Sequence, residues 1–209
     1  MSDNYYGQFE TDKIIEMYFP GQSGGHAVEV GGSDGVRGSN TLRFQQLGWR
    51  TILIEPNPDA VEVARNNGRH VIECACGSFN QSDVPFSIYD IGRNHITSSV
   101  SSLEPDKRLI EQHKDIIHCV KQITVDVYPL DLILAEAEFD YDIDFISIDT
   151  EGTELDVLMG LGLDVWNVRL LVVENNFRDK GVEEYLKQFG YHLDARWKIN
   201  DFFLKEQND

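Results

Sequence analysis

The sequence predicts an α/β fold: a Rossmann-like, doubly wound, mostly parallel seven-stranded sheet with helices on both faces and a C-terminal antiparallel strand pair. Short, apolar and β-branched runs, such as residues 51–54 and 168–173, alternate with amphipathic segments. This alternation is typical of buried parallel strands joined by helices. A glycine-rich turn, residues 31–35, follows the apolar run at residues 27–30, and Glu55 follows directly after the run at residues 51–54. These features predict a ligand site where the strands end.

Composition limits the class of protein and of partner. The chain has 209 residues, 41% of them hydrophobic, and we expect a single domain over residues 1–209. The net charge of -18 repels phosphate backbones, so we expect no nucleic acid partner. No apolar run approaches the ~18 residues that span a bilayer, and no signal peptide opens the chain. We therefore expect no membrane partner and a cytoplasmic location, with reduced, buried thiols at Cys74, Cys76 and Cys119.

Residues 1–22 are predicted to form an N-terminal arm and a helix. Residues 11–19 have helical periodicity, with Ile14, Ile15, Tyr18 and Phe19 on one face. The aromatic residues before this helix are Tyr5, Tyr6 and Phe9. Two roles remain open for them: a lid over a bound cofactor, or an arm that packs on the body of the domain.

The first strand, residues 27–30, runs into a turn that contains Gly31, Gly32 and Gly35. Glycine permits a tight turn, positive φ and close approach of the backbone to a ligand. Ser39 or Asn40 is predicted to cap the next helix, which runs to about residue 48. Residues 51–54 form the second strand, and a carboxylate at its tip can accept both hydroxyls of a ribose.

The spacing of this turn argues against a dinucleotide. Ser33 stands where the G-x-G-x-x-G fingerprint has its second glycine, and the pattern is instead acidic-x-Gly-x-x-x-Gly, beginning at Glu29. This pattern favours a ligand with no pyrophosphate to place at the helix N-terminus. S-adenosylmethionine fits, because its ammonium needs an acidic group or a carbonyl and its carboxylate needs backbone N–H groups. The competing interpretation is a doubly wound domain whose glycines serve only the turn.

The middle of the chain supplies a third strand and a long polar loop. Pro58 starts a helix that runs to about residue 67, and residues 69–75 form the third strand. Cys76 and Gly77 stand at its end. Residues 84–89 alternate and predict an extra strand. The polar segment 92–102, with His95, is either a wall of the substrate site or a simple connection.

The second half continues the alternation. Helices are predicted over residues 104–114, 129–137, 151–161 and 181–189, and strands over 119–127, 144–149 and 168–173. Residues 191–195 and 201–204 are predicted to form the closing antiparallel pair. Asp140, Asp142 and Asp144 precede the fourth main strand at the end away from the cofactor, so we interpret them as an acidic turn.

Several motifs together resemble the FkbM family of class I methyltransferases. They are Glu29-Val-Gly-Gly-Ser-Asp-Gly35, Ser39-Asn-Thr41, Gly48-Trp49, Ile54-Glu-Pro-Asn-Pro58, Ser147-Ile-Asp-Thr-Glu-Gly-Thr-Glu154 and the N-terminal Tyr6-Gly-Gln-Phe-Glu-Thr-Asp-Lys13. The resemblance implies S-adenosylmethionine as cofactor and oxygen methylation, often on sugars or glycosylated products. The chain departs from the family pattern at Gly32-Ser33 and at Glu174-Asn175-Asn176.

The cofactor residues that follow from the loop, the strand ends and the resemblance form one set. They are Glu29, Gly31, Gly32, Ser33, Asp34, Gly35, Asn40, Thr41, Glu55, Pro56, Asn57, Cys76, Gly77, Asp149 and Glu151. Strand order places Asp149 beside the first strand, so it is expected to face the sulfonium methyl.

An alcohol needs a base or a metal before it attacks a methyl group at neutral pH. Asp149 is the first candidate for the catalytic base, and His95 is the second. A competing role for Asp149 is cofactor binding or capping of the next helix. Asp149, Glu174 and Asn175 are also a tentative Mg²⁺ ligand set, because they supply three hard oxygen ligands at neighbouring strand tips.

The leading hypothesis is an S-adenosylmethionine-dependent O-methyltransferase that acts on a carbohydrate or glycan hydroxyl, for example on a deoxyhexose such as rhamnose. Polar groups expected near the site support a sugar. Two roles remain open for Trp49 and Trp197: a stacking face for the sugar, or the commoner role of a core or surface residue. The alternatives are a metal-dependent, catechol-type O-methyltransferase and a non-catalytic nucleotide-binding module. The short chain also suggests one domain of a larger glycan-processing polypeptide. The hydroxyl-complementary groups are His95, Ser98, Ser99, Asn175 and Asn176.

Overall fold

The computed structural model describes residues 4–90, 101–104, 106–115 and 119–206. The strands are β1 (His26–Val30), β2 (Arg50–Ile54), β3 (Val71–Ile72), β4 (Ala75–Gly77), β5 (Gln81–Asp90), β6 (Cys119–Pro129), β7 (Asp142–Ile148), β8 (Asn167–Glu174), β9 (Tyr191–Trp197) and β10 (Asn200–Lys205). The α-helices are α1 (Thr11–Glu16), α2 (Leu42–Gln46), α3 (Pro58–Asn66), α4 (Lys107–His113), α5 (Leu130–Glu136), α6 (Glu154–Met159) and α7 (Gly181–Leu186). Short 3₁₀ turns lie at Gln8–Glu10 and Lys187–Phe189.

Seven strands form the main sheet in the order β3-β2-β1-β7-β8-β10-β9. β1 pairs in parallel with β2 on one side and with β7 on the other, and β8 continues the parallel run. β10 lies antiparallel to both β8 and β9. This arrangement confirms the predicted mostly parallel sheet with its closing antiparallel pair. The direction of winding reverses between β1 and β7, so a crevice opens at their carboxyl ends.

The two faces of the sheet bury separate apolar clusters, because successive side chains of a strand point to opposite faces. Val28 of β1 and Ile146 of β7 face one way and pack with Leu134 and Leu158 from the helices of that side. Ala27 and Phe145 face the other way and pack with Ile15 of α1, Phe44 of α2 and Trp49. Helices therefore cover both faces, as predicted. Burial in this second cluster makes Trp49 a core residue, so the prediction of a stacking face there is wrong.

The region after β3 differs from the prediction. Residues 69–75 were expected to form one strand, but only Val71–Ile72 pairs with β2. The chain then leaves the main sheet, and β4 pairs in parallel with β6. β6 also pairs with β5, which gives a second sheet of order β4-β6-β5. Cys74 and Cys76, around this change of sheet, are buried free thiols as predicted.

The turn before α6 also moves a predicted boundary. The helix was expected from residue 151 but begins at Glu154, because Glu151 has φ 59° and Gly152 has φ 126°. The Glu154 carboxylate accepts hydrogen bonds from the backbone N–H groups of Thr150 and Gly152, both at 3.0 Å. The turn thereby presents residues 149–151 at the end of β7.

At the amino ends of the strands, away from the crevice, the side chain of Asp144 stabilises the fold. Asp144 accepts hydrogen bonds from the His26 N–H at 2.8 Å and from Gln22 Nε2 at 2.9 Å, and so fixes the entry into β1. The position away from the crevice agrees with the prediction, but Asp142 and Asp144 belong to β7, and Asp144 is a half-buried structural residue and not part of a solvated turn. Among the described residues, no helix has the length and apolar character that crossing a membrane requires.

Candidate active site

A cavity of about 420 Å³ opens where β1, β2 and β7 end. Its size falls within the range of ligand pockets, about 300–1,000 Å³. It brings together eleven of the predicted site residues, which confirms that these strand ends converge. They are Glu29, Gly31, Gly32, Ser33, Asn40, Glu55, Pro56, Asn57, Cys76, Asp149 and Glu151.

Gly31 is required where the first strand turns into the cavity. Its φ is 81°, and a Cβ placed there would lie 1.8 Å from the Asp149 carbonyl oxygen. The Gly31 N–H donates to the carbonyl of Ile54 at 2.9 Å, and the Asp149 N–H donates to the carbonyl of Val30 at 3.0 Å. These bonds hold the ends of three neighbouring strands together around the glycine, with no room for a side chain.

Glu29 lies in the cavity wall but holds the loop that follows. One carboxylate oxygen accepts from the Asn40 N–H at 2.6 Å, and the other accepts from the hydroxyls of Ser39, at 2.7 Å, and Thr41. The Ser39 hydroxyl also accepts from the N–H of Leu42 at 3.1 Å, in the first turn of α2. The N-cap of α2 is Thr41, so the helix begins after the predicted cap at Ser39 or Asn40, and Ser39 instead supports its first turn from two residues away. Cofactor contact by Glu29 stays a prediction.

Arg69 completes this network, and sequence reasoning did not single it out. Its guanidinium is buried and donates to the Gly35 carbonyl, to Ser39 Oγ at 3.0 Å and to Thr41 Oγ1 at 2.6 Å. It pairs with Glu29 at 3.7 Å. Burial lowers the pKa of Arg69, and the nearby carboxylate opposes that shift. The sequence predicts Arg69 only as the first residue of a strand, because its partners come from other parts of the chain and meet it only after folding.

Glu55 reaches the cavity from the tip of β2. It accepts hydrogen bonds from the N–H groups of Ser33, at 2.9 Å, and Asn57, at 2.8 Å. Burial raises the pKa of Glu55 to about 7, with a smaller contribution from the charge of Asp149, while the two backbone hydrogen bonds act in the opposite direction. A carboxylate with further acceptor capacity at this place suits the hydroxyls of a ribose.

Four predicted cofactor residues lie outside the cavity lining. The Asp34 carboxylate caps the N–H groups of Val36 and Arg37, at 2.9 and 2.8 Å. The hydroxyl of Thr41 belongs to the Glu29–Arg69 network, and Gly35 packs against the Arg69 side chain. Gly77 faces α6, where its carbonyl fits against Gly160. The structure therefore gives these residues roles in shaping the loops around the cavity.

Three carboxylates meet at the deep end of the site. Ligand oxygens of Asp149, Glu151 and Glu174 all lie within 4.8 Å of one another. Burial, and then the charge of Glu154, raises the pKa of Asp149 to about 7, while a side-chain hydrogen bond with Glu174 opposes the rise. Burial and the Asp149 charge raise the pKa values of Glu151 and Glu174 well above the ordinary range. Ionising three neighbouring buried carboxyl groups at once is unfavourable, so this group holds a proton more readily than free carboxyl groups do.

Asn175 does not join these carboxylates. Its amide nitrogen donates to the Asp179 carbonyl at 2.9 Å and to Asp201 Oδ2 at 2.8 Å, and its oxygen accepts from the Asp179 N–H at 2.8 Å. The side chain therefore shapes the loop after β8. Asp149 and Glu174 do lie together as predicted, and Glu151 stands where Asn175 was expected in the tentative metal set. Metal binding itself stays a prediction.

The N-terminal arm borders the cavity through Tyr6 and Gln8. The Tyr6 carbonyl accepts from the Gly38 N–H at 2.9 Å, and the Tyr6 N–H donates to Asp12 at 2.7 Å. Phe9 lies at the surface instead, and its carbonyl accepts from Trp197 Nε1 at 2.8 Å. The arm thus packs on the body of the domain, as one of the two predicted roles requires, and a role as a lid over the cofactor stays a prediction.

The polar loop after β5 is only partly described. Ser101, Ser102 and Leu103 line the cavity, as expected for a wall of the substrate site. The catalytic candidate His95, with Ser98 and Ser99, lies outside the described residues. Cavity residues that sequence reasoning missed include Arg37, Phe86 and Ser147. They stand on three separate elements, and no spacing in the sequence connects them.

Comparison with known proteins gives a family and a fold. The model of a family described as the methyltransferase FkbM domain matches residues 29–193. No curated protein sequence matches the chain. A precorrin-6y C5,15-methyltransferase from Geobacter metallireducens shares its fold, with a TM-score of 0.51, 10% identity and coverage of 98% of this chain and 94% of that one.

Two further solved structures are more distant. A TehB-like S-adenosylmethionine-dependent methyltransferase from Corynebacterium glutamicum has a TM-score of 0.45 and 10% identity, over 98% of this chain and 90% of that one. A precorrin-8w decarboxylase from Methanobacterium thermoautotrophicum has a TM-score of 0.47 and 14% identity, over 96% and 91% of the two chains.

Proposed function

We infer the function from one premise: this chain belongs to the methyltransferase FkbM family and is an S-adenosylmethionine-dependent methyltransferase. We propose that it methylates oxygen, and that the acceptor is a hydroxyl of a carbohydrate or glycan. The observation that supports an oxygen acceptor is the carboxyl pair Asp149 and Glu174 next to the cavity. An alcohol must lose its proton as it attacks the methyl group, and this pair offers a base at that place.

The residues of the cavity fit the cofactor. Glu55 can accept the ribose hydroxyls, and Gly31 and Gly32 line the cavity, where glycine lets a ligand come close to the backbone. The acidic wall formed by Asp149 and Glu151 suits an ammonium and a sulfonium. Bound S-adenosylmethionine supplies an activated methyl group, so the protein has only to orient the acceptor and remove its proton.

Asp149 is proposed as the base. One C–S bond breaks and one C–O bond forms, and the acceptor hydroxyl proton passes to the Asp149 carboxylate. A pKa of about 7 lets this group be ionised before transfer and hold the proton afterwards. Glu174 lies beside it, with carboxylate oxygens of the two residues within 4.8 Å of each other, and burial and the Asp149 charge raise the pKa of Glu174. His95 remains the second candidate for this role.

A sugar acceptor is supported by the polar and acidic surroundings of the pair. Asn176 and Phe177 follow directly after Glu174 and Asn175, and offer an amide and an aromatic face near the carboxylates. Nucleic acid is a poor candidate, since a net charge of -18 repels phosphates. The buried thiols of Cys74 and Cys76 suit a reducing compartment, and we propose that the protein acts in the cytoplasm.

A metal-dependent, catechol-type O-methyltransferase is the second candidate function. Asp149, Glu151 and Glu174 offer oxygen ligands within 4.8 Å of one another, which suits Mg²⁺. The ion would act as a Lewis acid on the acceptor oxygen. We favour the base, because transfer from S-adenosylmethionine to an alcohol needs only the removal of the acceptor proton, which a carboxylate can perform.

The test is methyl transfer by the wild type and by Asp149→Asn. Tritiated S-adenosylmethionine is supplied with rhamnose, fucose and hexose glycosides, in EDTA and in Mg²⁺. We expect label in a sugar with the wild type in EDTA. Asp149→Asn should lower kcat by about 10²–10⁴, the usual contribution of a general base, while the variant still binds S-adenosylhomocysteine.

The matched control is Asp164→Asn, since Asp164 is exposed and outside the cavity lining. It should turn over like the wild type. Loss of turnover in EDTA and recovery in Mg²⁺ would select the metal-dependent candidate. Equal turnover by the wild type and Asp149→Asn would contradict the assignment of the base. Cofactor binding without turnover by the wild type would favour a non-catalytic binding module.

A further inference from the structure

The turn that follows Asp149 has a strained backbone. Glu151 has φ 59° and Gly152 has φ 126°, and the left-handed region is unfavourable for a residue with a Cβ, such as Glu151. A conformation of this kind persists only where surrounding contacts hold it, and such residues cluster at functional sites. Asp149 and Glu151 both line the cavity of about 420 Å³. The strained turn therefore decides where these two carboxylates stand.

Glu154 holds this turn from the side of α6. Its Oε1 accepts three hydrogen bonds, from the Thr150 N–H at 3.0 Å, from Thr150 Oγ1 at 3.2 Å and from the Gly152 N–H at 3.0 Å. Hydrogen bonds to a carboxylate oxygen are stronger than those between neutral groups. The two N–H groups flank Glu151 in the chain, so one oxygen atom fixes the backbone on both sides of the strained residue.

Backbone groups of Glu104 and Asp106 also pack on the turn. The Asp106 N–H donates to the Glu151 carbonyl at 3.3 Å. A Cβ at Gly152 would lie 2.9 Å from the Asp106 nitrogen and 3.2 Å from the Glu104 carbonyl oxygen. This contact leaves no room on that side, and the open space next to the turn is the cavity. A turn that loses Glu154 therefore shifts its carboxylates relative to the cavity.

Glu154 is outside the described lining of this cavity. It lines, together with Glu174, a smaller cavity of about 190 Å³. A ligand in the larger cavity meets Asp149 and Glu151 directly. Glu154 acts on that ligand through the geometry of the turn and, at longer range, through its own charge, and these two contributions can be separated by substitution.

We propose that Glu154 is a positioning residue for methyl transfer: its three hydrogen bonds hold the turn in which the carboxylates of Asp149 and Glu151 face the methyl group of the bound cofactor. This inference rests on the proposed function and adds a residue that acts on the cofactor through the turn. A glutamine at this position keeps the accepting oxygen and loses the charge, whereas an aspartate keeps the charge and loses the reach.

The test uses two analogues of the cofactor. Sinefungin has a protonated amine where S-adenosylmethionine has the methyl group on sulfur, and S-adenosylhomocysteine has neither group. The ratio of their dissociation constants, measured by calorimetry with the full chain at pH 8, reports how well the carboxylates face the methyl position. We expect the wild type to bind sinefungin at least tenfold more tightly, and Asp149→Asn to lose most of this preference.

Glu154→Asp and Glu154→Ala should each lower the preference for sinefungin at least fivefold, whereas Glu154→Gln should keep it within twofold. A residue that only stabilised the fold would weaken the binding of both analogues alike and leave the ratio unchanged. The matched controls are Glu184→Asp, Glu184→Ala and Glu184→Gln, which should keep the wild-type ratio. Glu184 is an exposed acidic residue in the first turn of α7 and is outside the described lining of both cavities.

An unchanged ratio in Glu154→Asp and Glu154→Ala, an equal loss in Glu154→Gln, or a wild type that binds both analogues without preference would overturn this inference and leave cofactor binding intact. Melting curves show which variants are folded, and either shortened side chain suffices for the test if the other does not fold. Failure of the wild type to bind either analogue would instead overturn the proposed function.

Discussion

Buried charges hold the loop between β1 and α2. Glu29 and Arg69 have almost fully buried side chains, 5% and 0% exposed, and together they bind Ser39, Thr41 and the Gly35 carbonyl. A buried ion pair adds little over an apolar pair, but removing one partner leaves a charge without compensation. The pair therefore matters chiefly for the shape of the loop that lines the cavity.

Arg69→Met alone should lower the free energy of unfolding by about 3–5 kcal/mol, the usual cost of breaking a buried pair. The double variant Glu29→Gln, Arg69→Met should lose less than the sum of the two single changes. Urea unfolding of the four proteins measures the coupling. Arg65→Met is the control, since Arg65 pairs with Glu73 in an exposed position. Strict additivity in the double variant would show that the pair does not act as a unit.

The elements near the site show what the sequence predicts and what it does not. Strands β1, β2, β7 and β8 are apolar runs of the right length, and a parallel sheet places their ends together, so Glu55 and Asp149 were predictable neighbours. The β4–β6 pairing joins Ala75 to Val127, far apart in sequence, and no local pattern reports it. For the same reason the role of Arg69 was not predictable, because its hydrogen-bond partners come together only in the folded chain.

A substitution at Gly31 tests how closely β1 and β7 approach each other at the cavity. Gly31→Ala places a Cβ at φ 81°, 1.8 Å from the Asp149 carbonyl, so β1 and β7 must separate at the cavity. Gly48→Ala has a similar φ of 87° but has nothing within 4 Å. The control Gly48→Ala should lose about 1–2 kcal/mol of unfolding free energy, from the strained backbone conformation alone.

Gly31→Ala should lose at least twice as much in guanidinium unfolding, or fail to fold while Gly48→Ala folds. Equal losses in the two variants would mean that the strand ends tolerate a side chain, and that the close approach of β1 and β7 does not constrain the cavity.

For the whole molecule, the acidic site sets how stability depends on pH. Folding raises the pKa values of Glu55 and Asp149 from 4.5 and 3.8 to about 7, and raises those of Glu151 and Glu174. Between about pH 4 and pH 7 the folded state therefore binds more protons than the unfolded state. Stability then falls as the pH rises through this window, by about 1.4 kcal/mol per pH unit for each extra proton. The net charge of -18 acts in the same direction.

Unfolding free energies measured from pH 5 to pH 8 should accordingly decrease, and Glu174→Gln should make the decrease shallower by removing one carboxyl from the group. Glu62→Gln is the control, because Glu62 is an exposed residue of α3. A stability that rises with pH over this range, or an unchanged slope in Glu174→Gln, would show that the three carboxylates are not protonated in the way their burial implies.

The central claim is that the cavity at the ends of β1, β2 and β7 binds S-adenosylmethionine through Glu55. Calorimetric titration with S-adenosylhomocysteine, for wild type and Glu55→Gln between pH 6 and pH 8, tests it most directly. We expect one site per chain and a loss of tenfold or more in Glu55→Gln. Because the ionised Glu55 binds the ribose and its free pKa is about 7, wild-type affinity should weaken as the pH falls below 7, and much less in the variant. No binding by the wild type, or equal binding by the variant at every pH, would contradict the claim.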